Sequence, residues 1–249
     1  MSKAMKAVFF DLDGTLVNTL CSLRTAMNKT MAHFGFDPIT EEQTRRYVGC
    51  GSRVFVEKSL QATADRLYRE AESWEEKDED RAFELDQQAD EVMAELDEAY
   101  AYYASIFPEN CTYRAEAYPG MPDCLRALRT QGIRIACITN KPLDAARLVL
   151  DSAFGESLFD YLSADDGTHP LKPDAGVVRD ACVKLQVEPS DCVFVGDTGT
   201  DIETARNAGI ASIGCVYGFR GRAELERYGA TVCVDNAAEI LPALRGIVS

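Results

Sequence analysis

Lys6-Ala7-Val8-Phe9-Phe10-Asp11-Leu12-Asp13-Gly14-Thr15-Leu16 is an apolar run that ends in two aspartates, a glycine and a threonine. Ala7 to Phe10 are small, β-branched or aromatic, which suits a strand covered on both faces, as in a parallel sheet. In open α/β sheets ligands sit just beyond the carboxyl ends of the strands, where Asp11 and Asp13 would lie. Side chains at i and i+2 of an extended segment point the same way. Two carboxylates there repel each other unless a cation, a proton or a turn at Gly14 separates them. A capping turn between strand and helix would use the same residue types without any chemistry.

Three further stretches bear on that choice. The apolar segment 133–138 reads as a strand that delivers Thr139-Asn140-Lys141, Lys172-Pro173 opens a helix, and the strand 192–195 leads into Gly196-Asp197-Thr198-Gly199-Thr200-Asp201. Between them the periodicity predicts helices over 122–131, 143–152 and 202–207 and strands over 159–163, 211–216 and 231–234. This alternation predicts an α/β fold with a mostly parallel, doubly wound sheet. From Thr40 to about Phe107 no convincing strand occurs, so roughly 17–115 reads as a helical module interrupting the α/β domain. A helix is expected over 18–34, and Gly49 and Gly51 break one helix and start another. The segment 64–103 keeps apolar residues at three-four spacing from Leu67 to Tyr103, predicting a long antiparallel helical pair whose stripe is internal core.

At 249 residues the chain has room for one good-sized domain with an insertion, or for two small ones. Hydrophobic residues make up 46%, enough for a packed core and unlike a disordered chain. No apolar run reaches membrane-spanning length, and the first six residues lack the apolar stretch of a signal peptide, so a cytoplasmic protein is expected. Nine cysteines without a Cys-x-x-Cys agree, several of them in apolar strands (Cys137, Cys215, Cys233) where a reduced thiol acts as a small hydrophobe. With only His33 and His169 present, a zinc site is not expected. The net charge of −15 argues against nucleic acid and anionic membranes as partners. Residues 66–99 hold 14 acidic and 4 basic side chains, two-thirds of that imbalance, so the remainder need not repel a phosphate.

Asp11-Leu12-Asp13-Gly14-Thr15-Leu16-Val17 resembles the first motif of the haloacid dehalogenase superfamily, and Thr139, Lys172-Pro173 and Gly196 to Asp201 resemble its other motifs in the same order. The resemblance implies a Rossmann-like core of residues 1–16 and 116–249, with a helical cap inserted over 17–115 and extended by the acidic pair at 64–103. It implies Mg²⁺ held by Asp11, Asp197 and the main-chain carbonyl of Asp13, with Asp201 behind these or reaching the metal through water. Asp11 would be the nucleophile and Asp13 the acid and base. Thr139 and the Asn140 amide would bind phosphate oxygens, Lys172 would hold Asp11, and Gly14 and Thr15 would join the substrate-binding set. Such groups neutralise charge on the transferring phosphoryl group, each contact being worth roughly 2.7–4 kcal/mol of barrier.

The second carboxylate separates this chain from dehalogenases, which lack an acid two residues after the nucleophile. Thr139-Asn140-Lys141-Pro142, and Tyr217-Gly218-Phe219-Arg220 after Gly209, look like the phosphoglycolate phosphatase group. The expected reaction is therefore hydrolysis of a small phosphate ester, 2-phosphoglycolate to glycolate and phosphate, by a monomer or homodimer. In that group the loop around Gly51 faces the active site, so Gly51 and Arg53, with Arg45 and Lys58, are candidates for reading a substrate carboxylate. A sugar phosphomutase would keep the same aspartates. A catalytically silent module docking a partner through the acidic helices is the third reading.

Overall fold

The computed structural model describes residues 5–247; the lead-in expected over residues 1–4 and the last two residues of the chain lie outside them. Six strands form one parallel sheet: β1 (Ala7–Phe10), β4 (Arg134–Pro142), β5 (Tyr161–Asp165), β6 (Cys192–Gly196), β7 (Ala211–Cys215) and β8 (Val232–Val234), in the order β5-β4-β1-β6-β7-β8. β1 is central, with β4 on one side and β6 on the other. Its alternation decides what covers it. Ala7 and Phe9 pack with Val178 and Ala181 of α8 (Gly176–Leu185) and Ala205 of α9 (Gly199–Ala208). Val8 and Phe10 face the opposite cluster, which holds α6 (Met121–Thr130), α7 (Leu143–Phe154) and α11 (Ile240–Ile247). A strand buried on both faces has no polar side, which is why this one reads as a continuous apolar run.

Beyond β1 the chain forms a short antiparallel pair, β2 (Val17–Asn18) with β3 (Glu116–Ala117). Between these two strands lie only helices among the described residues: α1 (Leu20–His33), α2 (Glu41–Tyr47), α3 (Ser52–Glu72), α4 (Glu79–Ala94) and α5 (Leu96–Asn110). α3 and α4 pack along each other through Leu67, Ala71, Ala82, Leu85 and Ala89, all buried, so the stripe is internal core. Trp74 departs from it, sitting 37% exposed in the turn between them under Lys77. α5 packs on α7 and α3 reaches β4, which lays the helices over the carboxyl ends of the sheet.

Several boundaries differ from those expected. The strand predicted to end at 138 continues to Pro142, because Ile138 pairs with Ser163 and Pro142 with Asp165, so residues 139–141 bulge between them. β5 begins at Tyr161, two residues later than expected, since the Asp160 carboxylate accepts from the Ile135 amide at 2.8 Å. α8 starts at Gly176, three residues past Pro173, after the Asp174 side chain accepts from the Gly176 amide. α9 starts at Gly199, earlier than predicted, where Asp201 accepts from the Thr198 amide and hydroxyl. In the last three cases a carboxylate bonding to the main chain sets the boundary. Among the described residues no helix is long and apolar enough to cross a membrane, and all nine cysteines are free thiols.

Candidate active site

The tip of β1 turns sharply. The amides of Leu16 and Val17 both donate to the Leu12 carbonyl, and Gly14 sits at φ +91°. That dihedral and the space at Gly14 both require glycine, for a Cβ there would overlap the Asp197 carboxylate. The repulsion anticipated between Asp11 and Asp13 is met by separate ammonium groups. Lys172 Nζ donates to Asp11 Oδ1 at 2.6 Å, and Lys141 Nζ donates to Asp13 Oδ1 at 2.8 Å. The Thr19 hydroxyl reaches the same Asp13 oxygen at 2.6 Å.

β6 delivers Asp197 alongside. Its Oδ1 accepts from the Thr15 hydroxyl at 3.0 Å and its Oδ2 from the Phe219 amide at 2.7 Å. Asp201 lies one helical turn on, fully buried, and its Oδ1 accepts from Lys172 Nζ at 2.7 Å. The Thr198 amide and hydroxyl donate to its Oδ2, so Asp201 is engaged on both oxygens. Asp11, Asp197 and Asp201 bring carboxylate oxygens within 4.8 Å of one another. Counting Asp13, four carboxylates face two ammonium groups, which leaves two negative charges in a closed, largely apolar surround. That imbalance fits a divalent cation.

The bulge in β4 aims its side chains at this cluster, a common use of such irregularities beside active sites. Thr139 and Lys141 line the site. Asn140 ties it together: its Oδ1 accepts from the Lys172 amide at 2.8 Å, while its Nδ2 donates to the carbonyls of Lys172 and Gly49. One amide side chain thus couples β4, the Lys172 loop and the α2–α3 loop.

Above Asp11, Asp13 and Thr139 lies a cavity of ≈ 30 Å³, roofed by Leu23 of α1, Val48, Gly49 and Gly51 of the α2–α3 loop, and Phe55, Tyr103 and Phe107 of α3 and α5. Burial pushes the Asp11 carboxyl up to about 7, against the opposing pull of Lys172. Burial, then Asp11 and Asp201, hold Asp197 well above the carboxylate range. For Lys172 burial alone would depress the ammonium, but Asp11 and Asp201 more than offset it and its pKa is raised.

Of the residues singled out from sequence, Asp11, Asp13, Thr139, Asn140, Lys172, Asp197 and Asp201 converge, and Gly51 lines the roof. Thr15 is placed differently from the expectation. It is fully buried and its hydroxyl serves Asp197. Arg53 does not line the cavity; it pairs with Asp97 at 2.6 Å and lies over Tyr100 on the outer surface. Arg45 pairs with Glu41 and packs over Phe219, and Lys58 is half-buried on α3. Sequence reasoning gave no role to Lys141, Thr19, Thr198 or Tyr103. Lys141 was within reach, being adjacent to Thr139 and Asn140.

A model of the haloacid dehalogenase-like hydrolases matches residues 5–209. Phosphoglycolate phosphatase 1 of Pseudomonas aeruginosa is 30% identical over 237 residues, 95% of this chain and 79% of that protein. Phosphoglycolate phosphatase of Rhodospirillum rubrum is 33% identical over 236 residues, covering 94% and 89% of the two chains. A solved structure from Lactobacillus delbrueckii subsp. bulgaricus superposes with a TM-score of 0.83 at 28% identity over 97% of this chain and 98% of that one. The family model spans the three converging strand tips and the Lys172 loop, and the chain belongs to the haloacid dehalogenase-like hydrolases.

Proposed function

We propose that this chain is a Mg²⁺-dependent phosphatase that hydrolyses 2-phosphoglycolate through an aspartyl-phosphate on Asp11. The observation that carries the reading is the meeting of Asp11, Asp13 and Thr139 at one small cavity, with Lys172 and Asp197 packed against Asp11. The substrate comes from the likeness to relatives named for it.

Asp11, Asp197 and the Asp13 carbonyl would hold the metal; Asp201, engaged by Lys172 and Thr198, positions them from behind. Bound there, Mg²⁺ supplies the positive charge that lets a carboxylate approach a phosphate dianion. An Asp11 oxygen attacks phosphorus, forming a P–O bond as the bond to the ester oxygen breaks. Protonated Asp13 gives its proton to the departing alkoxide and then takes one from the water that cleaves the aspartyl-phosphate. Lys172 keeps Asp11 aimed and, with Thr139 and the Asn140 amide, balances charge on the phosphoryl oxygens. The apolar roof keeps other water out. A cytoplasmic location accords with nine free thiols.

The test is phosphate release from 2-phosphoglycolate, pyrophosphate and simple esters, with and without Mg²⁺, by the native protein and by Asp11→Asn. Strong Mg²⁺-dependent release from 2-phosphoglycolate, absent in the variant, is expected. Release from other esters alone would overturn the substrate, and conversion of a sugar 1-phosphate to its 6-phosphate without free phosphate would replace hydrolysis by transfer.

A further inference from the structure

Tyr103 is a polar group of the roof that the reaction as derived does not use. It is 1% exposed, and its hydroxyl has no hydrogen-bond partner. Leaving a buried hydroxyl without a partner is costly, so native structures that retain one have a reason to. Packing does not require it. The ring stacks on Phe107 with centroids 5.0 Å apart and meets Phe55 edge-on at 6.0 Å, and both contacts are open equally to a phenylalanine.

The ring stands between two spaces. With Phe107 and Ser52 it borders both the catalytic cavity and an outer cleft of ≈ 420 Å³ along α5 and α7. On the catalytic side Tyr103 shares the cavity wall with Asp13. The roof around it is apolar at Leu23, Val48, Phe55 and Phe107, with Ser52 its other hydroxyl. Beside it α3 begins at Ser52, preceded by Gly51 at φ +97°, with no side chain capping its first amides. A helix start carries unpaired N–H groups and partial positive charge.

We propose that the Tyr103 hydroxyl, supported by the first amides of α3, donates a hydrogen bond to an anionic oxygen on the non-phosphate end of the substrate, and so selects esters bearing a carboxylate next to the phosphorylated carbon. The proposal rests on the hydrolysis of 2-phosphoglycolate proposed above. It assigns to a tyrosine of α5 the recognition that sequence reasoning sought in Arg53, whose guanidinium is held by Asp97 outside the cavity. In so apolar a surround a single donor discriminates strongly, because a substrate without the acceptor leaves the hydroxyl unpaired.

The experiment compares native protein with Tyr103→Phe in two measurements. One is the ratio of kcat/KM for 2-phosphoglycolate to that for ethyl phosphate, which has the same chain length and no carboxylate. The other is the melting temperature without substrate. The expected result is a ratio reduced tenfold or more, mainly through KM for 2-phosphoglycolate, together with an unchanged or higher melting temperature because an unpaired buried hydroxyl has been removed. An unchanged ratio overturns the proposal, as does a lower melting temperature, which would show a structural partner for the hydroxyl. The native protein separates the two levels. If it shows no preference for 2-phosphoglycolate over ethyl phosphate, the substrate reading fails and the proposal with it; if the preference is present and Tyr103→Phe retains it, the proposal alone fails.

Discussion

Lys141 Nζ lies 2.8 Å from Asp13 Oδ1, with side-chain exposures of 1% and 14%, and 4.8 Å from the centre of the Phe107 ring. One lysine therefore joins the acid and base of the proposed reaction to the roof above it. Lys141→Gln leaves Asp13 held on that oxygen by Thr19 alone. We expect kcat to fall by about 10- to 100-fold, part of the roughly 10²–10⁴-fold that general acid–base catalysis contributes. The Mg²⁺-induced rise in melting temperature should persist, since the proposed ligands are untouched. Phosphate release and thermal melts on the same preparation check both halves.

In the proposed site, Mg²⁺ binding and pH are linked through Asp11. Its carboxyl is raised to about 7 from 3.8, chiefly by burial, and Asp197 is raised as well. A carboxyl raised on folding holds its proton more tightly in the folded state. Its contribution to stability is full below the ordinary value and is lost as pH rises through the folded one. Without metal, melting temperature should fall from about pH 5 to about pH 8 as these carboxyls ionise against one another. Millimolar Mg²⁺ competes with the same protons, so its stabilising shift should grow over that interval. Melting temperature with chelator should fall over this interval while its gap to the value with Mg²⁺ widens; a gap independent of pH would remove Asp11 from the ligand set.

Gly218 has no side chain because there is nowhere to put one. A Cβ there would overlap the Asp197 side chain and the Gly14 carbonyl, whereas one at Gly221 would meet nothing within 4 Å. Gly218→Ala must displace Asp197 or the turn at Gly14. We expect apparent Mg²⁺ affinity to weaken by about 10- to 100-fold, the usual effect of disturbing a ligand's support, and Gly221→Ala to leave it unchanged. Activity titrated with Mg²⁺ distinguishes the two variants.

What could be read from sequence follows from where the information is stored. β1 and β6 are short apolar runs that end at polar residues, so strand, tip and site appear in one local string, and Asp11, Asp13 and Asp197 were legible. Helix and strand starts were less so, because Asp160, Asp174 and Asp201 move them by bonding to main-chain amides. Contacts across the chain left no local trace. Lys141 meets Asp13 from 128 residues away, and Asp97 draws off Arg53 from 44 residues away. Tyr103 fits the helical stripe of α5 and reads as core; that its ring is core and its hydroxyl is unpaired emerges only once the roof is closed over Asp13.

The closed roof itself predicts a motion. A cavity of ≈ 30 Å³ is far below the roughly 300–1,000 Å³ of ordinary ligand pockets, so the helical layer must part from the sheet to admit even a small ester. Arg220, in the loop after β7, resists that parting: its Nη2 donates to the carbonyls of Arg46 at 2.9 Å and Val48 at 3.1 Å, at the end of α2. Arg45 answers from α2, reaching the Gly218 carbonyl at 3.5 Å. Hydrogen bonds from a charged group contribute about 1.5–3 kcal/mol, so Arg220→Met should shift the open-to-closed balance by about 10- to 100-fold. Small esters depend on closure to be held, while bulky ones are excluded by it. The ratio of kcat/KM for ethyl phosphate to that for 4-nitrophenyl phosphate should therefore fall in the variant by about tenfold. If both esters lose rate equally, Arg220 only supports the loop; if the ratio falls, closure is what selects by size, and the two arginines set how firmly the roof is held.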